Sequence, residues 1–312
     1  MLIKYLKDYF ENGGSFDGPL LVKTCEKGVT SAGTNYLTIN FQDISGNIVA
    51  KKWSIEVGDM ETIIPGNVIR VIGDIFKYKG ANQLKVGSVI KLNPNDYDVN
   101  DFYVSCPLKD DQLKKEVEDL ISKVQDEDLK KLVKEVINEN KEKYFTYPAA
   151  VSVHHSYRCG IVYHSLSIAK DAVSIYQRYP QLNLDYLIVG SLLHDIGKIV
   201  EMNGITATSY TLRGNLEGHI NIGASIVQQV GEKIKTPEDK LSIVVHIILS
   251  HHGKPEFGSP ILPKTAEAYV IHMLDELDAK MFIIDAALKN VQVGEFSTKV
   301  AWLDNQAYLK TK

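Results

Sequence analysis

All nine histidines of the chain fall between His154 and His272. The sharpest element among them is His194-Asp195, inside SLLHDIGKIVE. An adjacent imidazole and carboxylate at a helix end can bind metal together, the ring to one ion and the carboxylate bridging to a second. Lys198 follows Asp195 by three residues and His194 by four, so one helical face presents all three. A lone His-Asp dipeptide is weak evidence; the apolar run YLIVGSLL before it and Ile-Gly-Lys after it make it stronger. The partners fall on separate predicted helices: His164 in IVYHSLSIAKDAV, His219 in EGHINIGASIV, His251 and His252 in IILSHHG, and Asp275 in YVIHMLDELDAKM. Nitrogen and carboxylate oxygen without thiolate suit Mn²⁺, Fe²⁺, Co²⁺ or Zn²⁺. The set exceeds what one four-coordinate ion needs, which predicts two ions. Such a pair, ~3.5–4 Å apart, can hold a bridging hydroxide and the oxygens of an in-line phosphoryl displacement.

The order His, His-Asp, His, His-His, Asp resembles the HD-domain metal-dependent phosphohydrolases. The resemblance implies that His164, His194, Asp195 and Asp275 hold a first metal. Asp195 would bridge to a second, held by His219 and His251 with His252 as a further candidate. Lys198 matches the basic residue that contacts the scissile phosphate or protonates the leaving group. The flanking text PAAVSVHHSYRCGIVYHS, YTLRGNLEGHI and SHHGKPEFGSPILPKTAEAYVIHMLDELDAKM is similar to the YhaM-type 3′-to-5′ exoribonucleases. That similarity runs through the whole chain and covers every predicted ligand. Cys159 departs from it, standing where the family usually has a second Gly before Gly160.

Other histidines have more than one reading. His246, in IVVHIIL, reads better as a hydrogen-bonded core residue than as a ligand. His272, one turn before Asp275, is either a support for a ligand or plain packing. His154, His155 and Arg158, just before the first ligand helix, are candidates for substrate contact against a satisfied loop.

These groups need a scaffold, and the period of the sequence changes along the chain. From Pro19 to Leu92, runs such as NYLTINFQDISG and VIRVIGDIFKYKG are rich in Val, Ile, Tyr and Phe, with Gly-bearing turns between or at the ends of them. Five strands in so short a span predict an OB-type β-barrel over residues 1–95, with another small barrel or sandwich as the alternative. Residues 96–111, polar and aperiodic, read as a linker. Residues 112–312 read as an all-α domain; Leu113, Val117, Leu120, Ile121 and Val124 recur at helical spacing, then Leu129, Leu132, Val133, Val136 and Ile137 do so again. Thr236-Pro237 and Asp239 predict a helix start, and Gly253 a stop.

An OB-type surface holds single strands by stacking bases on aromatics while cations follow the phosphates. Lys51-Lys52-Trp53 and Lys77-Tyr78-Lys79 interleave the two chemistries, with Tyr36, Phe41 and Lys85 nearby. The alternative is a core Trp53 and solvated strand lysines.

Composition sets the limits. The chain has 312 residues, 44% hydrophobic and 24% charged, with a formal charge of −4. No global basic excess announces nucleic-acid binding, so a polyanion site must be local. Residues 1–95 hold 11 basic against 9 acidic residues, and the rest 24 against 30. Cys25, Cys106 and Cys159 are too widely spaced for a disulfide framework or a cysteine zinc site. No apolar run approaches ~18 residues, so a cytoplasmic protein without membrane contact is expected. The predicted activity is a metal-dependent exonuclease acting on single-stranded RNA, with single-stranded DNA and oligomerisation left open. The 3′-to-5′ direction, nucleoside 5′-monophosphate products and a preference for Mn²⁺ or Co²⁺ follow from the resemblance. The alternative is a phosphodiesterase or phosphatase for a free or cyclic nucleotide, with a regulatory barrel.

Overall fold

The computed structural model describes residues 5–31, 33–78, 80–103, 106–150, 157–204, 209–289 and 291–312. The chain divides into two compact units, Met1–Ser105 and Cys106–Lys312. The division falls within the expected linker, but that stretch is not wholly solvated. Phe102 and Tyr103 are buried in the first unit, and the Phe102 carbonyl accepts from Gln42 Nε2 at 2.9 Å. Two aromatics in a polar stretch carry no periodic signal, which is why the sequence did not announce this.

In the first unit, β1 (Gly14–Val29), β2 (Asn35–Asp43), β3 (Gly46–Lys52), β4 (Val68–Tyr78) and β5 (Ala81–Lys91) close a barrel in the order β1-β2-β3-β5-β4. The β3–β5 pair is parallel and the others antiparallel. This is the OB-type Greek-key closure. A register shift between Val22 and Thr24 lets one half of β1 pair with β4 and the other with β2. Strand alternation turns Leu37, Ile39, Phe41, Ile48 and Ala50 inward, all buried, so Phe41 is core and no ligand contact. Each such Leu, Ile or Phe contributes ~1.5–3 kcal/mol on burial. The same alternation leaves Tyr36, Thr38, Lys51 and, past the strand end, Trp53 outside.

The second unit contains α2 (Asp110–Ser122), α3 (Glu127–Glu139), α4 (Lys141–Tyr144), α5 (Gly160–Arg178), α6 (Leu184–Leu193), α7 (Lys198–Glu201), α8 (Leu212–Ile234), α9 (Glu238–Ser250) and α10 (Ala266–Leu288); α1 (Asp59–Thr62) belongs to the barrel. The apolar stripes of α2 and α3 are buried where the spacing predicted. Asn183 caps α6, accepting from the backbone N–H of Asp185 and Tyr186. Residues Leu187–Leu193 of α6 are buried throughout, the mark of a helix apolar on all sides and enclosed by others. Ile168, Leu187, Ile247 and Ile271 form a second cluster where α5, α6, α9 and α10 meet. The start of α9 is one residue later than expected, with Pro237 as N-cap. Thr236 is taken up in ending α8, its N–H donating to the Gly231 carbonyl at 2.8 Å.

The second unit is helical through α10, and a short hairpin of isolated bridges follows it. Beyond α10, backbone bonds join Gly294 to Lys310, Ser297 to Tyr308 and Val300 to Gln306. Asp304 and Asn305, both at positive φ (52° and 56°), make the reversal a tight hairpin turn. Single bridges are too short to show an alternating pattern in sequence. Among the described residues, no helix is long and apolar enough to cross a membrane.

Lys52 corrects one expectation. It points into the barrel, its side chain 1% exposed, with Nζ 3.4 Å from Asp59 Oδ2 and donating to the Gly87 carbonyl at 3.0 Å. It is therefore no strand contact; its place on β3 has the inward parity of Ile48 and Ala50. Breaking a buried ion pair by removing one partner strands the other charge. Asp59→Ala should therefore lower stability by about 3 kcal/mol in urea denaturation, and adding Lys52→Met should recover much of the loss.

Candidate metal centre

His194 is the C-cap of α6, so the all-apolar helix delivers it and Asp195 into the interior of the helical unit. His194 is 0% and Asp195 1% exposed. The turn that follows needs Gly197, because a Cβ there would lie 1.9 Å from the His219 carbonyl oxygen and 2.6 Å from the Gly223 nitrogen. The backbone of α8 thus touches the turn directly. Within α8, Gly218 (φ 69°, ψ 155°) breaks the helix and frees the His219 N–H. Glu201, at the end of α7, takes that N–H at 2.9 Å and the His219 ring Nδ1 at 3.0 Å.

Every ring in the cluster is held by its Nδ1. That atom of His194 lies 2.8 Å from the Ser191 carbonyl, that of His251 2.7 Å from Ile248, and that of His252 2.7 Å from Phe257. A carbonyl only accepts, so Nδ1 carries the proton and Nε2 offers a lone pair. His164 Nδ1 meets Asp278 Oδ2 at 2.7 Å, as His219 meets Glu201.

The Nε2 atoms converge on Asp195 from two sides. Its Oδ2 is 3.7 Å from His164 Nε2 and 3.4 Å from His194 Nε2, and Asp275 Oδ1 lies 3.0 Å from His164 Nε2. Its Oδ1 is 3.6 Å from His219 Nε2 and 3.7 Å from His251 Nε2. His164, His194 and Asp195 form one group with metal-ligating spacing, and His219, His251 and His252 another. One carboxylate serves both sides.

Burial pushes the Asp195 carboxyl up, but Lys198 and His194 outweigh it and hold it well below its ordinary range. Burial also opposes charge on Asp275, which His164 likewise brings down. Burial would lower His164; its hydrogen bonds to the Asp275 and Asp278 carboxylates raise it to about 9. At His251 burial dominates, aided by the neighbouring His252, and drives the ring well below its usual value. His252 is lowered, chiefly by burial. Those two rings are neutral, as metal ligands must be.

The donor set fits divalent cations. Nε2 of His194, His219 and His251 and Oδ1 of Asp195 are buried without a hydrogen-bond partner. A buried polar atom left unmatched costs ~1–3 kcal/mol, and a cation on each side of Asp195 would match all four. Lys198 Nζ donates to Asp195 Oδ2 at 2.7 Å and lines a cavity of about 580 Å³ with His219, His252, His272 and Asp275.

The seven ligand candidates and Lys198 thus come together. His246 does not join them; its Nε2 accepts from the Lys264 N–H at 2.9 Å. His272 Nδ1 bonds the His251 carbonyl at 3.0 Å, steadying the second group. Arg158 does not face the cavity: its guanidinium makes two 2.7 Å bonds to Asp110. This bidentate pair corrects the expectation of a substrate contact. His154, His155 and Lys79 lie outside the described residues. Glu201 and Asp278 were missed in the sequence; the signal was a carboxylate one helical turn from Lys198 and from Asp275.

On the barrel, Trp53 is 47% exposed and packs on Tyr36, with ring centroids 5.0 Å apart. Lys51 Nζ sits 4.7 Å from the Tyr36 ring centroid and donates to Thr38 Oγ1 at 2.6 Å. Lys51 pairs in register with Lys85, which is exposed, as are Lys77 and Tyr78.

The HD domain family matches residues 161–280. A 3′-5′ exoribonuclease YhaM of Geobacillus sp. (strain WCH70) is 36% identical over 97% of this chain and 94% of its own length. One from Oceanobacillus iheyensis is 37% identical over 96% and 94%. Among solved structures, the second OB-fold domain of replication protein A from Methanococcus maripaludis covers 25% of this chain and 85% of its own. Its identity is 18% and its TM-score 0.20.

Two outcomes test this geometry. Gly197→Ala should force α7 and α8 apart, costing about 2 kcal/mol and displacing His219, read by thermal denaturation with and without Mn²⁺. Glu201→Ala and Asp278→Ala should each weaken one ion site about 10–100-fold and spare the other, which two-site calorimetric titration with Mn²⁺ resolves.

Proposed function

Since the chain belongs to the YhaM family of 3′-5′ exoribonucleases, we propose that it shortens single-stranded RNA from the 3′ end in the cytoplasm, releasing nucleoside 5′-monophosphates at a two-ion centre. It is a phosphodiester hydrolase with an HD domain. The observation that carries the two-ion reading is the division of Asp195, Oδ2 toward His164 and His194, Oδ1 toward His219 and His251. His164, His194, Asp195 and Asp275 would hold one ion, and Asp195, His219, His251 and His252 the other. Mn²⁺ suits these nitrogen and oxygen donors, with Co²⁺, Fe²⁺ and Zn²⁺ as the alternatives. Such ions would supply Lewis acidity toward phosphoryl oxygens and would lower the pKa of a bound water.

The chain's own groups do the rest. Lys198, within the cavity, is placed to meet the negative charge that grows on the scissile phosphate. Asp278, Glu201 and the three backbone carbonyls hold the Nδ1 of each ring, which turns each Nε2 inward. Tyr36, Lys51, Trp53 and Lys85 on the outside of β2, β3 and β5, with the exposed Lys77 and Tyr78 at the end of β4, support binding of unpaired bases and phosphates. Single-stranded DNA offers the same stacking and charge, and is proposed as a second substrate.

With Mn²⁺, a 5′-labelled single strand should give a ladder shortening from its 3′ end, while a blunt duplex or a bulky 3′ block resists. Internal cuts in a circular strand would make the protein an endonuclease. Turnover confined to free or cyclic nucleotides would favour the phosphodiesterase alternative. Lys198→Ala should keep both ions and lose about 10²-fold or more in turnover; lost metal with the remaining turnover per ion unchanged would make it a neighbour only.

A further inference from the structure

Three rings line the metal cavity without being needed to hold a ligand side chain: Tyr210, Phe257 and Trp302. Their exposures are 49%, 57% and 74%, so packing does not account for them. Each stands on a fixed support. Tyr210 bridges Met202 beside the α8 N-cap. Phe257 lies on the turn whose carbonyl holds His252. Trp302 lies beyond the HD match, on the hairpin closed by Asp304 and Asn305, whose Leu303 is buried as its anchor. Lys254 Nζ sits 5.8 Å from the Phe257 ring, a ring-and-cation pairing like that of Tyr36 and Lys51 on the barrel.

We propose that Tyr210, Phe257 and Trp302 form a stacking surface at the metal cavity that holds the 3′-terminal bases of the strand by ring contact, whatever the base. The proposal rests on the exonuclease reading above and adds to it the group that the helical unit itself recognises. The cavity falls within the usual size range of ligand sites, ~300–1,000 Å³, and combines ion-binding groups for a phosphate with aromatic faces for a base. Among the described residues, its polar lining side chains are nearly all those of the metal centre and its supports. Glu276 is paired with Lys280, which leaves few side chains among the described residues to read a base edge. Stacking tolerates every base because every base has a π-face.

The test uses the full chain with Mn²⁺ and a 5′-labelled oligoribonucleotide, ordinary or with its last two nucleotides abasic. For the unaltered protein, kcat/KM should fall about tenfold or more on the abasic strand. Trp302→Ala should show a similar loss on the ordinary strand, mostly in KM, and little further loss on the abasic one. Trp302→Phe should retain most activity, and Mn²⁺ affinity should be unchanged in both variants. Equal losses on both strands in Trp302→Ala, or no loss on either, overturn the proposal. If the unaltered protein shortens both strands equally, the exonuclease reading stands and the stacking surface falls. If it shortens neither, the exonuclease reading fails first.

Discussion

Asp195 carries a negative charge at a place water does not reach, with imidazoles on both sides and one lysine as its direct ion partner. An isolated carboxylate in such a place would take up a proton or leave. Its persistence as a charge depends on Lys198 and His194. Much of the helical unit follows from that requirement. Helix α6 can be apolar on all sides because its task is to carry His194 and Asp195 inward. Tyr144, fully buried, donates to the Leu192 carbonyl at 2.9 Å, satisfying a backbone acceptor next to the site that has lost its helical partner.

The outer carboxylates extend the same logic. Asp278 and Glu201 each hold the Nδ1 of one ring, that of His164 and that of His219. Ser167 donates to the other oxygen of Asp278 at 2.6 Å, so the support is itself supported. A ring held this way loses little freedom when an ion arrives, and its nitrogen is more basic toward the metal. The carbonyl-held rings have no such push. One side of Asp195 therefore combines carboxylate-backed His164 with carbonyl-backed His194, and the other carboxylate-backed His219 with carbonyl-backed His251 and His252.

Much of this was legible in the residues. The clustering of these His and Asp side chains could be read because His and Asp are rare inside apolar helical runs, and their types declare their chemistry. The barrel could be read because β-rich runs alternate with turn residues. What could not be read depended on three-dimensional neighbours. Glu201 and Asp278 look like surface acids until α7 and α10 bring them behind a ring. Lys52 and Lys51 are adjacent in sequence, yet strand parity sends one to the core and the other outside. Arg158 looked like a phosphate contact until Asp110, 48 residues away in sequence, met it. The hairpin bearing Trp302 has too few paired residues to leave a pattern.

The span of the centre along the chain has a consequence for biosynthesis. His164 meets Asp275 across 111 residues and Asp278 across 114. The barrel, closed by residue 91, can fold while the helical unit is still being made. The His/Asp cluster cannot, because α10, the last helix among the described residues, supplies Asp275 and Asp278. A nascent or truncated chain that stops before α10 would have a closed barrel and an incomplete cluster. Assembly of the cluster is therefore a late event in the folding of this chain, and it waits on α10.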